Sequence, residues 1–229
     1  METFRELLSP EYVKKRCASI DMKRAKADVI AGTPIASSDT VSFQVVDRDG
    51  NAVSMVNSNY QGFGTGIIPK NCGFTLQNRG FNFSLDPKHW NCFEGGKRPY
   101  HTIIPGMATF SDDGSLYASF TNMGGFMQPQ GHLQLISNMI DFGMNPQRSI
   151  DFPRFCIADG TSHGLISLEE GISEDCVEEL KRLGHRVVVV RGHDRSVFGR
   201  AQIITRDRNS EVLCGGSDCR ADGMAAGLL

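Results

Sequence analysis

Thr40 opens a strand-like run, Thr40 to Val46, directly after a small, polar, aperiodic stretch over residues 28–39 that carries Gly32 and Pro34. A threonine at such a junction supports two readings. β-Branched residues favour strands, so a threonine at a strand start is unremarkable by itself. It is also the arrangement in which a hydroxyl attacks the carbonyl of its own preceding residue, here Asp39. The ester that forms is hydrolysed and a free α-amine is released. That amine has a pKa of roughly 8 and can accept the proton of its own hydroxyl, so one residue supplies both nucleophile and base.

A second feature is Gly124-Gly125, between a strand expected over Tyr117–Thr121 and a helix expected from Gln130. Two glycines there let backbone N–H groups converge on a developing oxyanion. Packing alone also produces such turns. Other candidates are weaker. Gly62–Gly66 (GFGTG) lacks the Lys-Ser/Thr of a P-loop, and Ile67 stands where G-x-G-x-x-G needs glycine, so a tight turn is expected. The histidines at 89, 101, 132, 163, 185 and 193 form no H-E-x-x-H, and no G-x-S-x-G elbow occurs. Seven cysteines exclude a fully paired disulfide framework and favour a reducing, cytoplasmic compartment. Cys214 and Cys219 would need His185 or His193 to hold zinc, and read instead as buried small hydrophobes.

The elements that must position these residues follow from pattern. Residues 2–8 and 11–27 read as helices broken at Ser9-Pro10, and 28–39 as a linker. Val41–Val46 and Ala52–Val56 form a hairpin across Asp47–Asn51, which contains Asp-Gly. Residues 72–77, 106–110 and 115–121 read as strands, with a surface loop over Pro87–Pro99. Leu133, Ile136, Met139 and Ile140 predict the buried face of a helix over 130–142. A second helix spans Ser173–Leu183, with Ser173 as N-cap and Gly184 as stop. Strands follow at Arg186–Val190, Arg200–Thr205 and Glu211–Cys214. Strands, then helices, then strands imply a layered α/β sandwich.

Composition narrows the function classes. In 229 residues, 24 Lys and Arg oppose 26 Asp and Glu, a net charge of −2, which gives neither the basic excess of a nucleic-acid binder nor an acidic tail. Hydrophobic residues at 40% and charged residues at 22% describe a globular chain. No stretch approaches the ~20 apolar residues of a membrane span. Twenty-five glycines imply many turns, hence many strands.

Several blocks coincide with one family. They are DTVSFQVVDRDGNAVSMVNSNYQGFGTGI, CGFTLQNRGFNFS, GGKRPYHTIIPGM, NMGGFMQPQ, DFGMNPQRSIDFPRF and GSDCRADGMAAG. From Thr40 to Leu229 the chain resembles the small subunit of γ-glutamyltranspeptidases, which are N-terminal nucleophile hydrolases. LLSPEYVKKRCASID resembles the end of their large subunit. The resemblance implies a four-layer αββα sandwich, incomplete in this chain. Residues 1–39 would be the end of the large subunit and the cleavage linker, and 40–229 the catalytic domain. It implies self-cleavage between Asp39 and Thr40, Thr40 as nucleophile, Ser58 as the hydroxyl that activates it, and Gly124 and Gly125 as the oxyanion hole. No metal or organic cofactor is needed. A large-subunit segment or a partner chain would complete the sandwich.

The substrate-binding positions depart from the family. Tyr60, Arg79 and Asn82 stand where an Asn, a Gln and an Asp bind the α-amino group, and His101-Thr102 replaces a Ser-Ser pair that binds the α-carboxylate. Losing a carboxylate and gaining Arg79 favours an anion over an ammonium, unless Arg79 pairs with a protein acid. Three readings follow: a γ-glutamyl hydrolase or transferase acting on amides such as glutathione; an acylase for glutaryl or other acidic acyl amides, as in the branch related to cephalosporin acylases; or a non-catalytic subunit.

Overall fold

The computed structural model of the protein describes residues 9–18, 23–24, 40–157 and 164–228. The helix expected over 2–8, the linker with the Asp39–Thr40 bond, and His163 lie outside the described residues. Within them the first helix, α1, covers Pro10–Cys17; of the rest of the helix expected over 11–27, residues 18, 23 and 24 are not helical and the others lie outside the described residues.

Strand β1 (Thr40–Val46) and strand β2 (Ala52–Ser58) form the expected hairpin. Its loop is built by Asp47, whose carboxylate accepts from the N–H of Asp49 at 2.9 Å and of Asn51 at 2.8 Å, while Gly50 takes φ +84°. Asparagine donors hold the Asp47 carboxyl below its usual pKa, the Asn51 side chain foremost. This loop fixes a register in which Thr40 lies directly opposite Ser58.

A four-stranded antiparallel sheet lies beneath. It contains β3 (Gly106–Thr109), β4 (Leu116–Met123), β8 (Arg200–Arg206) and β9 (Leu213–Ser217), in that spatial order. The hairpin packs on one face through polar groups. Gln44 Nε2 donates to Thr121 Oγ1 at 2.9 Å, and Ser54 Oγ donates to the Phe120 carbonyl at 3.0 Å. Helices α2 (Met127–Ile140) and α3 (Pro146–Asp151) cover the other face. There Ala118, Phe120, Leu135, Met139, Ile150, Ala201 and Ile203 make the main core.

A smaller sheet of β5 (Phe155–Ile157), β6 (Ile166–Glu169) and β7 (Val187–Val190) carries helix α4 (Glu174–Arg182). Ile166, Leu168 and Val177 pack between them. The Ser173 side chain caps α4 by accepting from Cys176 N at 3.3 Å, and Gly184 follows at φ +97°, as expected.

Four expectations are corrected. Residues 72–77 are not a strand; they are tied to the glycine loop by Thr65 N to Leu76 O and Leu76 N to Ile67 O, at 2.8 and 3.0 Å. Helix α2 begins at Met127, because Pro129 sits in its first turn, where no N–H donor is required. Leu133 and Ile140 point outward, and Leu135 and Met139 carry the buried face. Cys214 and Cys219 are exposed, not buried; Cys156 is the buried one.

Candidate active site

The hairpin register brings two hydroxyls together. Thr40 Oγ1 donates to Ser58 Oγ at 2.9 Å, and Ser58 Oγ also accepts from the N–H of Tyr60 at 2.8 Å. Tyr60 holds φ +80°, unusual for a bulky residue, and is only 3% exposed, so the packing around it over-determines its backbone. Its hydroxyl meets Asn82 Oδ1 at 2.6 Å. Burial raises the Tyr60 pKa above the ordinary phenol value, so it remains a neutral donor.

Arg79 lies in a short 3-10 turn, Arg79–Asn82, and is 7% exposed. Its guanidinium donates to the Ser58 carbonyl at 3.0 Å, to Thr102 Oγ1 at 3.1 Å and to Gln77 Oε1 at 3.4 Å. All three acceptors are neutral. Among the described residues no carboxylate pairs with Arg79. Burial pushes its pKa below the usual guanidinium value, and Tyr60 is the group that opposes the shift. The neighbouring Asn82 Nδ2 is buried and has no hydrogen-bond partner. A buried cation and a buried orphan donor thus sit in one short turn, at Arg79 and Asn82, which suits a group that only accepts.

Gly124 and Gly125 follow β4 at φ +141° and +60°. Among the described residues neither N–H has a backbone acceptor. A Cβ at Gly124 would press on Gly199 Cα and Met127 Cβ, each at 3.2 Å, so a side chain at Gly124 would be crowded, whereas at Gly125 only the left-handed φ favours glycine. β2 and β4 advance in the same sense, since Val53 O accepts from Ser119 Oγ and Ser54 Oγ reaches Phe120 O. Moving along β2 to Ser58 therefore moves along β4 towards Met123 and Gly124. The Thr40–Ser58 pair and the glycine turn share one end of the stacked sheets.

Two expected residues divide. Thr102 is buried against Arg79, whereas His101 is exposed and its Nδ1 is taken up by the N–H of Ile103 at 3.1 Å. The sequence reading missed Gln128. Its side chain, almost fully buried, donates to the carbonyls of Thr102 and Gly125 and accepts from Ile104 N at 3.0 Å. It clamps the Thr102 loop to the glycine turn. It also missed the ion network behind the turn. Arg154 pairs with Asp218 at 2.8 Å, Asp218 holds Ala201 N at 2.6 Å, and Arg154 reaches Asn122 Oδ1 at 3.2 Å. The PRF and SDCR segments thus lock the starts of β5 and β8 to the end of β4.

The profile of the family described as Gamma-glutamyltranspeptidase matches residues 1–228. The chain belongs to the γ-glutamyltranspeptidase family. It is 36% identical over 97% of its length to the "Glutathione hydrolase-like YwrD proenzyme" of Bacillus subtilis, and equally to the "Oxamate amidohydrolase proenzyme" of Klebsiella pneumoniae. In both cases it spans 41% of the relative. The crystal structure of cephalosporin acylase from Bacillus halodurans superimposes with a TM-score of 0.82 at 44% identity, covering 96% of this chain and 38% of that one. The fold of this γ-glutamyltranspeptidase family member is accordingly the α/β sandwich of N-terminal nucleophile hydrolases, and the described residues supply its two sheet layers and one helical layer. The outer face of the hairpin is apolar and exposed at Val41, Phe43, Val45, Val53 and Met55.

Proposed function

We propose that this chain carries the nucleophile of an amide hydrolase whose acyl pocket receives a carboxylate. After cleavage at Asp39–Thr40, the freed α-amine of Thr40 takes the hydroxyl proton as Oγ1 attacks the amide carbon. A C–O bond forms, the oxyanion is held by the N–H groups of Gly124 and Gly125, and the C–N bond breaks as the amine leaves with that proton. Water then cleaves the ester. Ser58 orients the attacking hydroxyl.

The observation that carries the substrate reading is Arg79. It is a buried cation without a carboxylate partner among the described residues, and it is joined to Thr40 through the single residue Ser58. Oxamate, in the name of one relative, carries a carboxylate beside its amide and is consistent with an acidic acyl group.

The second reading, a γ-glutamyl hydrolase or transferase, is favoured by the glutathione hydrolase-like relative. A γ-glutamyl group adds an ammonium to the carboxylate. Glutaryl p-nitroanilide and γ-glutamyl p-nitroanilide differ in that ammonium alone. The acidic-acyl reading predicts faster release of p-nitroaniline from the glutaryl compound. Faster release from the γ-glutamyl compound would overturn it and select the second reading.

A further inference from the structure

Arg200 begins β8 and pairs across the ladder with Met123. Directly opposite residues stand on the same face of a sheet, and faces alternate along a strand. Thr121 faces the hairpin, since its Oγ1 accepts from Gln44. Met123, two residues on, therefore faces the hairpin as well, and so does Arg200. This is the end of the sheets that holds Thr40 and Ser58. The residue before Arg200 is Gly199, on which Gly124 packs.

Arg200 Nε is buried and has no hydrogen-bond partner. Among the described residues no carboxylate pairs with its guanidinium. Arg154, Arg195, Arg206, Arg208 and Arg220 all sit on acids, whereas Arg98, Arg148 and Arg191, which among the described residues do not, are exposed to solvent. Among the described residues Arg79 and Arg200 are thus two cations without a carboxylate partner at the Thr40 end of the fold. They belong to different sides of the hairpin: Arg79 bonds the Ser58 carbonyl on β2, whereas Arg200 begins β8, which packs under β1; β1 and β2 both pack over β4. An amide attacked by Thr40 has its acyl chain on one side of the reacting carbon and its amine on the other.

We propose that Arg200 is a specificity-determining residue on the leaving-group side, where it binds a carboxylate carried by the released amine. The preferred substrates are then acidic acyl amides of amino acids, anionic at both ends. This rests on the reading of Thr40 as nucleophile and of Arg79 as the acyl-carboxylate partner.

The test compares the glutaryl amide of glycine with that of ethylamine, following amine release by the full-length processed protein. The wild type should favour the glycine amide by roughly 10- to 100-fold in kcat/KM, carried mainly by KM, as expected for one charge-assisted contact. Arg200→Gln should erase that preference while leaving the ethylamide rate near wild type, and Arg200→Lys should keep part of it. Equal turnover of both amides by the wild type would overturn the proposal. So would an Arg200→Gln variant that slows both amides alike or slows self-cleavage alone. Processed protein that hydrolyses neither amide would remove the underlying substrate reading, a failure distinguishable from the loss of preference alone.

Discussion

The guanidinium of Arg79 donates to the main-chain carbonyl of Ser58 at 3.0 Å, and the side chain of that same serine accepts from Thr40 at 2.9 Å. Recognition and attack are therefore two hydrogen bonds apart on one residue. Replacing Arg79 with Gln should lower kcat/KM for glutaryl p-nitroanilide by roughly 10- to 100-fold, the value of a hydrogen bond to a charged group. Butyryl p-nitroanilide, which lacks the carboxylate, should change little. Steady-state kinetics on the two anilides provides the check.

Ser58→Ala removes the acceptor of the Thr40 hydroxyl and leaves the Tyr60 N–H without its partner. The expected result is slower acylation by about 10- to 100-fold, read from the pre-steady-state burst, with Ser58→Thr retaining most of the rate. An unchanged burst in Ser58→Ala would show that the hydroxyl pair does not orient the attack.

Asp218 accepts from Arg154, Arg220 and the N–H of Ala201 in a dry setting. Asp218→Ala leaves the buried Arg154 without its carboxylate, while Arg220 keeps Glu169, and breaking such a buried pair costs about 3–5 kcal/mol. Thermal unfolding should fall by on the order of 10 °C. A drop of only a degree or two would mean that the network relaxes without it.

His132 is held neutral. Burial lowers its pKa from 6.5 to about 4, and its Nε2 accepts from the N–H of Asn122 at 3.0 Å. The unfolded chain protonates this histidine at a higher pH than the fold does, so stability is complete above pH 6.5 and declines as pH falls towards 4. His132→Gln keeps an acceptor without a titrating group. It should flatten the melting temperature across that window, measured by calorimetry at several pH values.

The hairpin was legible because Asp47, Gly50 and Asn51 carry the turn chemistry locally, and the register that pairs Thr40 with Ser58 follows from them. Helix α4 was legible from its cap and stop residues. β5 and β6 were not, being three and four residues long with no alternation to detect. Leu133 and Ile140 misled because apolar residues at helical spacing do not state which stripe meets the sheet; Gly131 and Leu135 do, and only contact with Asn122 and the core reveals it. The partners of Arg154 and Arg220 lie 64 and 51 residues away in sequence, at Asp218 and Glu169, beyond any local pattern. Whether Arg79 had a protein acid beside it was likewise a question that only the packed fold answers.

The chemistry proposed for this site depends on Thr40 becoming an N-terminal nucleophile. The most direct measurement is denaturing intact mass of the full-length protein, before and after brief exposure to glutaryl p-nitroanilide. The expected result is two pieces separated between Asp39 and Thr40, with a glutaryl adduct on the piece that begins at Thr40, absent in Thr40→Ala. A single uncut mass that gains no adduct would contradict it.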